Sequence, residues 1–169
     1  MKKGFLGRTS FISPLLYDCL HFLIAEIGRL AYYIRRNLLE VSNDKLNGSK
    51  MKKKFNKVYQ FRIALKDIKP TVWRRIQVPE TYTFWDLHVA IQDVMGWLDC
   101  HLHQFKMLEP MTKTKVDIGI PDKDDDYEIL PGWRQKIQDF FSPDNKAAYY
   151  IYDFGDNWTH TILLEKILP

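Results

Sequence analysis

Val58-Tyr59-Gln60-Phe61-Arg62-Ile63-Ala64-Leu65 is followed across Pro70 by Val72-Trp73-Arg74-Arg75-Ile76-Gln77-Val78-Pro79, and these two runs decide the fold. In the first, Tyr59, Phe61, Ile63 and Leu65 alternate with Gln60, Arg62 and Lys66, the period-two pattern of a half-buried strand. In the second, Val72, Ile76 and Val78 alternate up to Pro79, and the pair predicts an antiparallel hairpin. The period then changes. Thr83 followed by Asp86 is a variant of the capping box, Phe84, Leu87, Ile91 and Val94 mark one helical face, and Gly96 is a stop signal.

Downstream, His101–Leu108 reads as a third strand, 109–131 as a loop rich in Lys, Asp and Pro, and Trp133–Phe141 as a short helix. Ala147–Asp153 and Trp158–Ile167 read as the last two strands. The order ββαβ(α)ββ predicts an α+β fold, a mostly antiparallel sheet gripping one main helix in a grasp-like manner.

Upstream the pattern differs. Ser13-Pro14 is a helix start, and Leu16, Leu20, Leu23, Ile27, Leu30, Ile34 and Leu38 form one apolar stripe. Asn43, Asp44, Asn47, Gly48 and Ser49 mark a polar linker, so residues 1–50 are expected to be an amphipathic helix on a tether, separate from a domain at 51–169. Asp18, His21, Glu26 and Arg29 interrupt the apolar run, which excludes a membrane span. Met51-Lys52-Lys53-Lys54-Phe55 has the look of a translation start, which opens the reading that residues 1–50 lie outside the native product.

With 169 residues, 46% hydrophobic and 27% charged, the chain has the composition of a globular domain and excludes wholesale disorder. Two cysteines, Cys19 and Cys100, cannot build a disulfide scaffold and point to a reducing, cytoplasmic setting. The formal net charge is +4, but residues 1–50 hold eight Lys/Arg against four Asp/Glu, leaving seventeen of each in the rest. The remainder is polarised: 52–75 carries nine basic residues against Asp67, and 117–128 carries six acids against Lys123. Pairing of these two stretches with each other is the simpler expectation; a phosphate-facing stripe is the other.

Two constellations carry chemistry. His101 and His103 stand two apart on the expected third strand, sharing a side with Phe105 and Met107, while His160 shares its face with Trp158, Ile162 and Leu164. Asp153 and Asp156 lie in the turn before His160. Three imidazoles and a carboxylate can hold zinc or iron, or form a hydrogen-bonded network that stiffens the sheet. On the second strand, Arg74 shares the apolar side and calls for a carboxylate partner, whereas Trp73 and Arg75 on the opposite side either form a recognition surface or have Trp73 buried beneath another element. The acidic run from Asp122 fails as a calcium loop, because Tyr127 stands where glycine is needed and Trp133 where a bidentate glutamate is needed.

Five ordered motifs together resemble the plasmid pRiA4b ORF-3-like family, also labelled TnpR-like passenger proteins of insertion elements. They are Tyr59-x-Phe61-Arg62-Ile63, Pro70-x-Val72-Trp73-Arg74-Arg75-Ile76-x-Val78-Pro79, Asp86-Leu87-His88-x-Ala90-Ile91-Gln92, Gly96-Trp97-x-x-x-His101-Leu102-His103-x-Phe105, and Tyr152-Asp153-Phe154-Gly155-Asp156-Asn157-Trp158-x-His160. The resemblance covers about Val58 to Pro169 and implies an α+β domain of plasmids and mobile elements without an established activity. It also implies a Cys-, Pro- and Gly-containing continuation beyond Pro169 that a complete site would need. The resolvase that the TnpR label suggests finds no serine nucleophile in an arginine cluster here.

Three functions follow in order of expectation. The first is a non-catalytic accessory module that binds a protein or peptide through Trp73 and Arg75. The second is a metal-dependent hydrolase or nuclease using His101, His103, Asp153, Asp156 and His160. The third is nucleic-acid binding through residues 52–75.

Overall fold

The structure, a computed structural model, describes residues 55–121 and 128–169. The expected hairpin forms: β1 (Val58–Leu65) and β2 (Trp73–Pro79) pair antiparallel from Val58↔Pro79 to Ala64↔Trp73. The first helix, α1 (Phe84–Met95), is capped as the sequence predicts. The Thr83 N–H donates to Asp86 Oδ2 at 2.9 Å, the Asp86 N–H donates to Thr83 Oγ1 at 3.2 Å, and Gly96 turns left-handed at φ +76°.

The remaining elements are β3 (His103–Leu108), β4 (Lys115–Gly119), β5 (Ile129–Pro131), the single turn α2 (Ile137–Phe140), β6 (Ala147–Tyr152) and β7 (Trp158–Leu168). All seven strands join one sheet in the order β2-β1-β7-β6-β3-β4-β5, antiparallel except for the β4–β5 pair. The expected antiparallel sheet gripping one helix is therefore a larger, mixed sheet with little helix. One face is the core, where Phe61, Ile63, Leu87, Ile91, Ile118 and Ile162 are buried. Phe84 stacks edge-on to Phe105 and Phe140, at 5.1 and 5.3 Å between centroids, tying α1 to β3 and α2.

Three departures have physical causes. The stretch read as a loop holds β4 and β5, because Ile118 fills the core opposite Phe105 although only Val116 accompanies it on that side. The helix read at 133–141 shrinks to α2 because its first half serves α1 instead. The N–H groups of Phe84 and Trp85, left without intrahelical partners at the start of α1, donate to the carbonyls of Gln135 and Gly132. The third strand begins at His103, since Asp99 adopts φ +55° and redirects the chain before it. The amphipathic helix and linker read in residues 1–50 lie outside the described residues. Among the described residues, no helix is long and apolar enough to cross a membrane.

Candidate functional site

His101, His103, Asp153, Asp156 and His160 do not gather on one point. Because β3 starts two residues late, strand alternation never applies to His101, which is exposed and lies 3.5 Å from Asp153 Oδ2. Asp153 spends its Oδ1 on the Gly155 N–H at 2.9 Å, closing the turn, and Asp156 is exposed on that turn. His103 and His160 are both buried but stand on either side of Tyr150, whose ring centroid is 6.0 Å from the first and 5.4 Å from the second. No group of three His, Cys, Asp or Glu suited to a metal ion occurs among the described residues. The zinc or iron set expected from the sequence is thus not assembled by this geometry.

Two motif residues, His88 and Gln92, meet Asp99 and Tyr150 in a different arrangement, a closed ring of hydrogen bonds under the sheet. The Asp99 N–H donates to Gln92 Oε1 at 3.0 Å, and Gln92 Nε2 donates to Tyr150 Oη at 2.7 Å. The Tyr150 hydroxyl is also hydrogen-bonded to His88 Nδ1 at 2.8 Å. The Nε2–H of His88 then donates to Asp99 Oδ1 at 2.8 Å, which closes the ring. His103 lies flat on His88, centroids 3.4 Å apart and planes within 6°. Burial first, and the neighbouring His88 second, hold His103 well below the usual imidazole range, with Asp99 acting in the opposite sense. Burial likewise pushes the Tyr150 phenol up.

His160 donates from Nδ1 to the Trp158 carbonyl at 3.1 Å, and its burial lowers its pKa. Sequence reasoning missed Asp99, Tyr150 and the pair His88 and Gln92. The signal for that pair was available: four residues apart, they flank the apolar stripe of α1.

The opposite face of the sheet is open. Trp73 is 41% exposed there, with the guanidinium of Arg62 5.2 Å and that of Arg75 5.3 Å from its ring centroid. Arg75 is bound by Glu165 through two hydrogen bonds, 2.6 and 2.9 Å. These bonds, with a further one from Gln60, hold the Glu165 carboxyl down at about 2. Among the described residues Arg74 has no carboxylate partner; it donates to the carbonyls of Val94 and Trp73, each at 2.9 Å. The first of these contacts places its charge at the negative end of α1.

Register sets a row across this face: Trp73, Ala64, Thr161, Tyr149 and Lys106 are direct neighbours on successive strands. Small side chains thus lie between two exposed rings. Beside them opens a groove of about 680 Å³, lined by Arg62, Ala64, Lys66, Lys69, Thr71 and Thr161, with Asp67 as its carboxylate. Lys66 Nζ stands 5.6 Å from the Tyr149 ring centroid. None of Arg62, Lys66 and Lys69 forms an ion pair among the described residues. Cations, hydroxyls and ring faces together suit an anionic partner.

A hairpin-led mixed sheet with α1 locked beneath it by the ring of His88, Gln92, Asp99 and Tyr150 defines a small, mostly β domain. The chain belongs to the plasmid pRiA4b ORF-3-like family, which matches residues 57–169. It is 31% identical over 113 residues to the uncharacterised protein y4hQ of Sinorhizobium fredii, covering 66% of this chain and 55% of that protein. A crystal structure of a protein of unknown function from Methanosarcina mazei Go1 superposes with a TM-score of 0.66 at 52% identity, over 70% of this chain and 65% of that one. The chain therefore spans about half to two thirds of the length of these relatives.

Proposed function

We propose that this domain is a non-catalytic, cytoplasmic accessory module of plasmids or mobile elements that holds an extended anionic partner across its open sheet face. One observation carries this: among the described residues, Arg62, Lys66 and Lys69 surround the groove without ion-pair partners, beside the exposed rings of Trp73 and Tyr149. Unpaired cations on a surface cost little while hydrated and are available to a ligand's charges. The buried ring supports the module by fixing α1 to β6 and the turn at Asp99, so that the sheet is presented as a rigid platform.

The test is a titration of the full chain with inorganic polyphosphate, followed by tryptophan fluorescence. Saturable binding is expected, with an affinity that drops at least ten-fold in the triple variant Arg62→Ala/Lys66→Ala/Lys69→Ala. If polyphosphate does not bind, or binds the triple variant as well as the parent, the open face is not an anion surface.

A further inference from the structure

We infer that the open face takes single-stranded nucleic acid, with phosphates in the groove at Arg62, Lys66 and Lys69 and bases against Trp73 and Tyr149. This rests on the reading of that face as the binding surface and adds the class of partner. Four features of the face carry it.

First, Trp73 and Tyr149 share one cross-strand row and are separated by the two strands that carry Ala64 and Thr161. At about 4.8 Å per strand the two rings stand roughly 14 Å apart, a span for more than one base. Second, Ala64 and Thr161 leave a trough between the rings rather than a ridge, so flat groups can lie down on the sheet. Third, cations lie over both rings, Arg62 and Arg75 at Trp73 and Lys66 at Tyr149, so the row alternates phosphate contacts with the exposed part of each ring, which is what a base can meet. Alternation of this kind matches a chain whose repeat is one aromatic base and one phosphate. Fourth, among the described residues the surface offers no helix or ribbon projecting from it, which is what reading a duplex groove requires.

An acidic peptide would use the same cations but would bring nothing for the two ring faces. Unpaired bases use both, and their stacking is tolerant of sequence. Asp67, a carboxylate lining the groove, repels phosphate and so limits its path there.

The experiment is fluorescence anisotropy of the full chain with labelled fifteen-nucleotide oligothymidylate, a fifteen-residue polyglutamate peptide, and an oligonucleotide duplex, at 50 and 200 mM salt. Oligothymidylate is expected to bind more tightly than either competitor. Trp73→Ala should weaken it by about five-fold or more at both salt concentrations, the loss of one stacked base. Lys66→Ala/Lys69→Ala should reduce the logarithmic salt slope by about 1.4, so that the parent loses about seven-fold more affinity over this salt range than the double variant does.

Polyglutamate or polyphosphate binding without oligothymidylate binding would overturn this inference and leave the anion surface standing. Failure of every probe would overturn both. Oligothymidylate binding that is unchanged by either variant, or duplex binding of equal strength, would also overturn it. Circular dichroism of each variant establishes that it is folded, and the lysine pair is exposed enough to be changed without touching the core.

Discussion

Removing a single oxygen tests whether the buried ring holds this domain together. Tyr150→Phe keeps the aromatic volume and the packing against Phe105, 4.9 Å between centroids, and deletes only the hydroxyl. That hydroxyl receives Gln92 Nε2 at 2.7 Å and serves His88 Nδ1 at 2.8 Å. Each buried polar group that loses its partner costs about 1–3 kcal/mol, so the variant should lose about 2 kcal/mol or more. For a domain of this size that is a fall in Tm of roughly 8 °C. Urea denaturation followed by tryptophan fluorescence gives the free energy, and the slope m should not change, since the surface exposed on unfolding is the same. A loss below about 0.5 kcal/mol, the size of an ordinary surface substitution, would refute the reasoning. It would mean that the ring is hydrated or unnecessary.

Three further outcomes follow from the same geometry. Burial depresses His103, which faces His88, Asp99 and Tyr150, and depresses His160. The folded state then binds fewer protons than the unfolded one, so this stability is present above the unfolded value near 6.5 and is lost as pH falls below it; urea midpoints at pH 7 and pH 5 should show the drop. Gly119→Ala would place a Cβ 2.8 Å from the His103 carbonyl oxygen, a backbone atom that cannot swing aside, and should cost about 1–3 kcal/mol by thermal denaturation. Arg75→Ala removes two of the hydrogen bonds that depress Glu165, so carboxyl titration by NMR should show that pKa rising from about 2 toward the ordinary value of 4.5, with the Gln60 bond retained.

How much of this was legible differs from element to element. The β1–β2 hairpin was plain because Phe61, Ile63, Ile76 and Val78 alternate strictly, and the register follows from the pleat. The cap of α1 was equally plain, since Thr83 and Asp86 complete it within four residues. Alternation put Trp73 and Arg75 on the side opposite Ile76, while whether Trp73 was exposed or covered was not legible. The groove beside them was not visible, because it needs Thr161 from β7 next to Ala64 from β1, ninety-seven positions apart. His101 was misplaced for a local reason that only distant partners create. The Leu102 carbonyl is taken by the Asp153 N–H and the Cys100 N–H by Tyr152 Oη, and these bonds hold the chain out of the strand.

What the sequence determined by itself is what short-range physics controls: the period of apolar residues, the capping box, the glycine stop, and the family to which the ordered motifs belong. The tertiary structure alone decided which polar groups became partners. His88, Gln92, Asp99 and Tyr150 come from one helix, one turn and one strand, and their separations in the chain carry no signal of a closed ring. β4 is strand for the same reason, since Ile118 finds the core opposite Phe105 only once β3 is in place. Side-chain alternation and caps act over a few residues, whereas a buried hydrogen bond or an edge strand depends on a partner supplied from elsewhere in the fold.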